Sequence, residues 1–344
     1  YDKAHNCKIK TIMSAPVEYP PVGDDIENLF NCKLNPLHRH NYIRVQGHVV
    51  PDSFLNFVDP IINFEVRDDD VWVCSFPKTG TTWTQEMVWC IANDLNFEAA
   101  KTSLALRFPF FEMAAVGTLE IAEKMPDLEF PPHLIDSVNY VRDLPSPRFI
   151  KTHLPFHLLP LQLQEGQTGA KIVYVARNAK DTCLSFYHHN QLLMGYGGTL
   201  DDFCSIFYKE SVPFSPFWGN IFGYWKRRQD RNLLFLTFEE MKRDLASSVR
   251  RTAKFLGKDL TDEQVAVLCD HLSFEKMRNN PAVNHEDLVD ICKKSGCSQE
   301  GEFIRSGQVG EGEKKFSPDW VMRFDQWSEE NLRGTGLSFD KNSS

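Results

Sequence analysis

The 344-residue sequence contains no apolar run of 18 residues or more, so no membrane-spanning helix is expected. No basic stretch followed by an apolar core opens it, so no secretory signal is expected either. Positive charge is in deficit: 38 Lys and Arg face 47 Asp and Glu, a formal charge of -9. That balance argues against coating nucleic acid or an anionic membrane, and it confines any highly charged anion to a local basic pocket. Internal repeats and low-complexity tracts are missing. The nine cysteines form no disulfide framework; their odd number and irregular spacing fit a reducing compartment, and a cytoplasmic location is expected. Only Cys292 and Cys297 lie close in sequence, and His285 is the nearest further ligand. This falls short of a zinc set, so no metal is expected. The Walker pattern G-x-x-x-x-G-K-[ST] is absent, which counts against a P-loop kinase.

What is present is an ordinary globular composition, 42% apolar and 25% charged, on a chain long enough for a sizeable core. Met13-Ser14-Ala15-Pro16 reads as a translation start, so residues 1–12 are expected to be an upstream remnant and 13–344 a single domain. Residues 14–60 read as irregular chain wrapping the surface. Short apolar runs at 71–76, 149–154, 171–176 and 233–238 read as buried strands. Helical patterns follow at 82–94 and 178–193, and Thr261-Asp262-Glu263-Gln264 is a capping box that opens another. Strands separated by helices predict an α/β fold, a central parallel sheet flanked by helices, with ligands bound at the carboxyl ends of the strands.

The most informative segment is Ser75-Phe76-Pro77-Lys78-Thr79-Gly80-Thr81-Thr82-Trp83, between a strand and a helix. Such a loop aims backbone N–H groups and the positive helix end at an anion. Gly80 permits close approach, and Thr79, Thr81 and Thr82 offer hydroxyls. Lys78 adds a cation, and Trp83 a surface on which a base can stack. The segment resembles the 5′-phosphosulfate loop of the cytosolic sulfotransferases, and the resemblance continues in order over roughly residues 45–330. It implies a P-loop-like sulfotransferase fold. It also implies transfer of a sulfonate group from phosphoadenosine phosphosulfate (PAPS) to a small hydrophobic phenol, alcohol or steroid-like acceptor, with adenosine 3′,5′-bisphosphate as product.

Arg148-Phe149-Ile150-Lys151-Thr152-His153-Leu154-Pro155 resembles the strand that carries the family's general base, which maps onto His153. An acceptor hydroxyl is a poor nucleophile until a neutral imidazole takes its proton. Lys151, two residues earlier on the strand, shares a face with His153, and with Lys78 it would stabilise charge on the leaving phosphate. The resemblance further implies that Arg177 and Ser185 hold the 3′-phosphate, together with Arg305, Ser306 and Gly307. It places Phe274, beside Ser273, opposite Trp83 across the adenine, with Met277 closing that pocket. Phe238 stands where many relatives carry a tyrosine, and Ser306 where they carry a lysine. Glu311 and Glu313 add acids nearby, so cofactor binding weaker than the family norm is expected. Phe76, Pro77, Phe110, Phe111 and Phe186 are the expected acceptor-lining residues, along with the aromatic loop near Phe214 and Phe217.

Residues 113–143 form a longer connection than in most relatives and are expected to be a lid over the acceptor site. Such insertions occur in the retinol dehydratase branch, which eliminates water through a sulfonated intermediate, so elimination stays open as an outcome. So does a non-catalytic binder of nucleotide or hydrophobic ligand. The family's dimer segment maps to Glu313, Ser317, Pro318 and Met322, of which only Ser317 is a conservative match. A monomer, or a dimer through another interface, is therefore expected.

Overall fold

The computed structural model describes residues 19–294 and 301–339. Residues 1–12, the Met13 start and Cys297 lie outside the described residues. The centre is a four-stranded, all-parallel sheet made of β3 (Val71–Cys74), β4 (Phe149–Thr152), β5 (Lys171–Ala176) and β6 (Leu233–Thr237), in the order β4-β3-β5-β6. The register aligns Cys74 with Thr152 on one side and with Tyr174 on the other, and Ala176 with Thr237. Successive side chains of a strand point to opposite faces. Trp72, Cys74, Ile150, Ile172 and Tyr174 accordingly join one buried cluster, and Val71, Val73, Phe149, Val173, Val175 and Leu236 join the other. Both faces are covered, which is why the strands read as continuous apolar runs.

Helices α1 (Thr81–Ala92), α2 (Ala179–Met194) and α3 (Phe217–Trp225) position the chemistry. The side chain of Asn178 caps α2 by accepting from Asp181 N. At the opposite end of the sheet Arg148 donates to both oxygens of Asp70 at 2.7 and 2.6 Å, a fully buried fork. Removing one partner of such a pair costs about 3–5 kcal/mol.

The structure shortens three of the expected strands. β3 stops at Cys74, where the chain begins to turn through Lys78 (φ 69°) and Gly80 (φ 108°) into α1. β4 stops at Thr152, because the next amide, that of His153, goes to the Glu112 carboxylate and not to a strand. β6 stops at Thr237, whose hydroxyl caps the helix Phe238–Arg243. The N-terminal segment is also more regular than expected. β1 (Tyr42–Val45) and β2 (His48–Pro51) form an antiparallel hairpin around Gln46-Gly47, both at positive φ as a two-residue hairpin turn requires. Residues 113–143 contain one turn of 3-10 helix, Ala114–Val116, and three short α-helices, Thr118–Lys124, Pro132–Ile135 and Ser137–Asp143. Among the described residues, no helix is long and apolar enough to cross a membrane.

Candidate active site

A cavity of about 400 Å³ opens at the carboxyl ends of the strands. Its floor is the loop between β3 and α1. Ser75 Oγ lies 2.7 Å from Thr81 Oγ1, and Thr79 Oγ1 donates at 2.9 Å to the carbonyls of Phe76 and Val175. These bonds pin the turn, leaving the N-terminus of α1 facing the cavity. Gly80 has to be glycine, since a Cβ there would lie 2.9 Å from the Phe238 ring in a left-handed backbone.

Lys78 extends over the Phe303 ring, 4.0 Å from its centroid, and Lys151 over Phe110 at 4.4 Å. Burial, reinforced by Lys151, Arg177 and Arg305, brings the Lys78 ammonium down to about 7. Burial likewise brings Lys151 to about 8, against the pull of Glu112.

His153 is the best-defined group in the site. Its Nδ1 lies 2.9 Å from the carbonyl oxygen of Ser75, which can only accept, so Nδ1 carries the proton and Nε2 keeps its lone pair. Burial first, then the Lys151 and Lys78 charges, hold the ring's pKa well below its ordinary value, so it is neutral at pH 7. Its backbone is fixed on two sides. The amide donates to Glu112 at 2.6 Å, and the carbonyl accepts from Asn220 of α3 at 3.0 Å. The isolated bridge between Phe110 and Lys151 lays residues 109–111 against β4 and sets Phe110 edge-on to the imidazole at 5.0 Å.

At the other end of the cavity the polar groups already have partners. Arg177 lies over Phe238, donates to the Gln308 carbonyl at 2.6 Å and sits 3.6 Å from Asp181. Its Nε is buried without a partner. Asp181 also accepts from the amides of Gly310 and Gly312, both at 2.8 Å, which ties this loop to the first turn of α2. Arg305 and Ser306 both donate to one oxygen of Glu311, at 2.7 and 2.6 Å. Burial pushes the Glu311 carboxyl up, but those two hydrogen bonds outweigh it and hold the group below its ordinary value. Gly307 stands at φ 58°, and a Cβ there would meet the Phe274 ring at 2.7 Å.

The cavity gathers Pro77, Lys78, Gly80, Thr81, Thr82, Trp83, Phe110, Lys151, His153, Arg177, Ser185, Phe186, Phe238, Phe274, Met277, Arg305, Ser306 and Gly307. Five expected residues lie off its wall. Phe76 is packed among Phe186, Phe207 and Phe217, and Phe111 against Phe64 and Trp72. The Thr79 hydroxyl is turned inward, and Ser273 lines a separate surface hollow. Phe217 is likewise core, whereas Phe214 reaches the cavity and faces His153 at 5.5 Å. The sequence assigns no site role to Glu112, His189 or Phe303 and considers His285 only as a metal ligand. A local signal existed for Glu112, which follows Phe110-Phe111, for His189, four residues after Ser185, and for Phe303, two residues before Arg305.

Among the described residues, the metal-ligating types gather only at Glu86, Cys90 and His271, within 4.8 Å of one another. The Glu86 oxygens are already taken by His271 and by the guanidinium of Arg107, so a cation fills that place.

The sequence pattern of the family described as "Sulfotransferase domain" matches residues 68–336. The chain belongs to the sulfotransferase family. It is 42% identical to luciferin sulfotransferase of Photinus pyralis over 83% of this chain and 77% of that protein. It is 31% identical to amine sulfotransferase of Oryctolagus cuniculus over 83% of this chain and 88% of that protein. Among solved structures, retinol dehydratase in complex with retinol and PAP superposes with a TM-score of 0.84 at 32% identity, covering 95% of this chain and 99% of that one. The single α/β domain with its central parallel sheet is thus the sulfotransferase fold.

Proposed function

We propose that this sulfotransferase moves a sulfonate group from PAPS to the hydroxyl of a small hydrophobic acceptor, with His153 as general base. The observation that carries this reading is the bare Nε2 of His153, facing the cavity beside Lys78 and Lys151. The residues fit the donor. Gly80 and Gly307 let the backbone lie against the Phe238 and Phe274 rings of the cavity wall, and the buried Arg177 Nε has no protein partner. The donor substrate supplies a sulfonate joined to a phosphate that departs readily.

In the transfer, His153 Nε2 takes the acceptor's proton as the acceptor oxygen bonds to sulfur. The bond from sulfur to the phosphate oxygen breaks, and its electron pair leaves with the bisphosphate. Lys78, Lys151 and the amides at the start of α1 stabilise the negative charge that gathers on that oxygen. Neutral His153 at pH 7 is the form this step needs. Phe110, Phe186 and Phe214 form an apolar wall that positions the acceptor and excludes water. Residues 113–143 form the lid of this wall, since Met113, Val116, Ile121 and Phe130 face the cavity. Glu120 of the lid holds His40 at 2.8 Å.

Incubation with PAPS and a panel of phenols and aliphatic alcohols should give equimolar bisphosphate and sulfonated product by mass spectrometry. Undiminished turnover in His153→Ala would remove that residue from the role of base. The likeness to retinol dehydratase over 95% of the chain favours a second outcome, loss of water from an allylic alcohol after sulfonation. Product lighter than the acceptor by one water would identify it.

A further inference from the structure

Two imidazoles in the cavity wall have no part in the transfer above. His189 lies on α2, about one turn beyond Ser185. His285 lies just before the helix Glu286–Lys294, at φ 55°, a conformation uncommon for a residue with a side chain. Both rings stand edge-on to Phe303, with centroids at 5.8 and 4.6 Å, and Lys78 covers the same phenyl ring. His189 Nδ1 and His285 Nε2 are shielded from solvent and have no hydrogen-bond partner. An unmade bond at a buried polar atom is destabilising, so such atoms ordinarily have partners. Two of them in one wall point to a molecule that completes them.

The surroundings define that molecule. Burial, with the charges of Lys78 and Lys151, keeps both rings neutral. Each ring therefore offers one donor and one acceptor. Both rings meet Phe303, the ring that Lys78 covers at 4.0 Å, which places them at the reacting end of the cavity and not at its far apolar end. A carboxylate on the acceptor would compete with the donor's own phosphates for the same lysines, whereas a neutral oxygen would not. We propose that His189 and His285 recognise a second, neutral hydrogen-bonding group next to the reacting hydroxyl, so that the preferred acceptors are ortho-oxygenated phenols. This assignment rests on the transferase reading of the site.

The test pairs 2-methoxyphenol with 2-ethylphenol, which matches it in shape but offers no oxygen. In the wild type, kcat/KM should favour the methoxy compound by about tenfold, the scale of one buried hydrogen bond. In His189→Phe, His285→Phe and the double variant that ratio should collapse toward one. Bisphosphate affinity, measured by calorimetry, reports whether each variant is folded. Equal kcat/KM for the two phenols in the wild type would overturn the proposal, as would a ratio that survives both substitutions. Calorimetric binding of the two phenols to the bisphosphate complex gives the same ratio without turnover. Absence of any sulfonated product would therefore reject the transferase reading alone, while the binding ratio still decides the histidines.

Discussion

The two ends of the cavity solve the problem of holding cations in opposite ways. At the β3–α1 loop, Lys78 and Lys151 each lie over an aromatic ring, and among the described residues neither ammonium has a carboxylate within salt-bridge distance. At the loop around residue 305, Arg305 and Ser306 share the Glu311 carboxylate, and Arg177 is held by Gln308 and Asp181. An uncompensated buried cation gives up part of its charge, which is why Lys78 sits at about 7 and Lys151 at about 8. A compensated one keeps its charge but has to exchange partners when an anion arrives. The first end is poised to gain a proton with its ligand, and the second to release a carboxylate.

The largest expected effect falls entirely at the first end. His153→Ala should lower kcat by about 10²–10⁴-fold, while bisphosphate affinity changes less than twofold. Stopped turnover assays and calorimetry on the same preparation check this. Lys78→Met should lower kcat by about 10²-fold, the scale of one lost donor to a developing oxyanion. A loss of the same size in Arg305→Met would erase the contrast between the ends.

The pH dependence should follow the lysines. A bound anion favours the ammonium form and raises its pKa, so binding above pH 7 takes up a proton. Bisphosphate affinity should be greatest near neutrality and fall by up to about tenfold per unit between pH 7 and 8, and more steeply above pH 8, where Lys151 of the free protein has also lost its proton. Calorimetry in buffers of different ionisation enthalpy reads the proton uptake directly, and Lys78→Met should remove most of it. A flat profile from pH 7 to 9 would contradict the depressed lysines. The smallest effects belong to the other end. Glu311→Gln should tighten bisphosphate binding up to about tenfold, because a charged competitor becomes a weaker one. Ser306→Lys should tighten it by a few-fold.

The loop between β3 and α1 and the strand leading to His153 were legible as elements because each is a contiguous motif. The sheet was legible because strands buried on both faces read as apolar runs bounded by Gly, Pro and Asp. Phe110 and Phe111 show where the reading failed. Adjacent residues of an extended segment face opposite ways, so only one of the pair can line a cavity, and alternation alone would have excluded the other. Thr79 failed for a related reason, since a tight turn needs internal hydroxyl bonds as well as donors for its ligand. The hairpin at Gln46-Gly47 was missed although it has the short glycine turn that marks one. Glu311 was noticed as an added acid, but its contact with Arg305 and Ser306 closes across a non-helical loop that no sequence period describes. His189 and His285 stand 96 residues apart and meet only at Phe303.

The most direct measurement is a calorimetric titration of the wild type and Glu311→Gln with adenosine 3′,5′-bisphosphate, each beside adenosine 5′-monophosphate. The wild type should bind the bisphosphate at micromolar concentration or tighter. The substitution should tighten the bisphosphate by up to about tenfold while leaving the monophosphate unchanged. Failure of the wild type to bind the bisphosphate, or an equal gain for both nucleotides, would contradict this reading of the cavity.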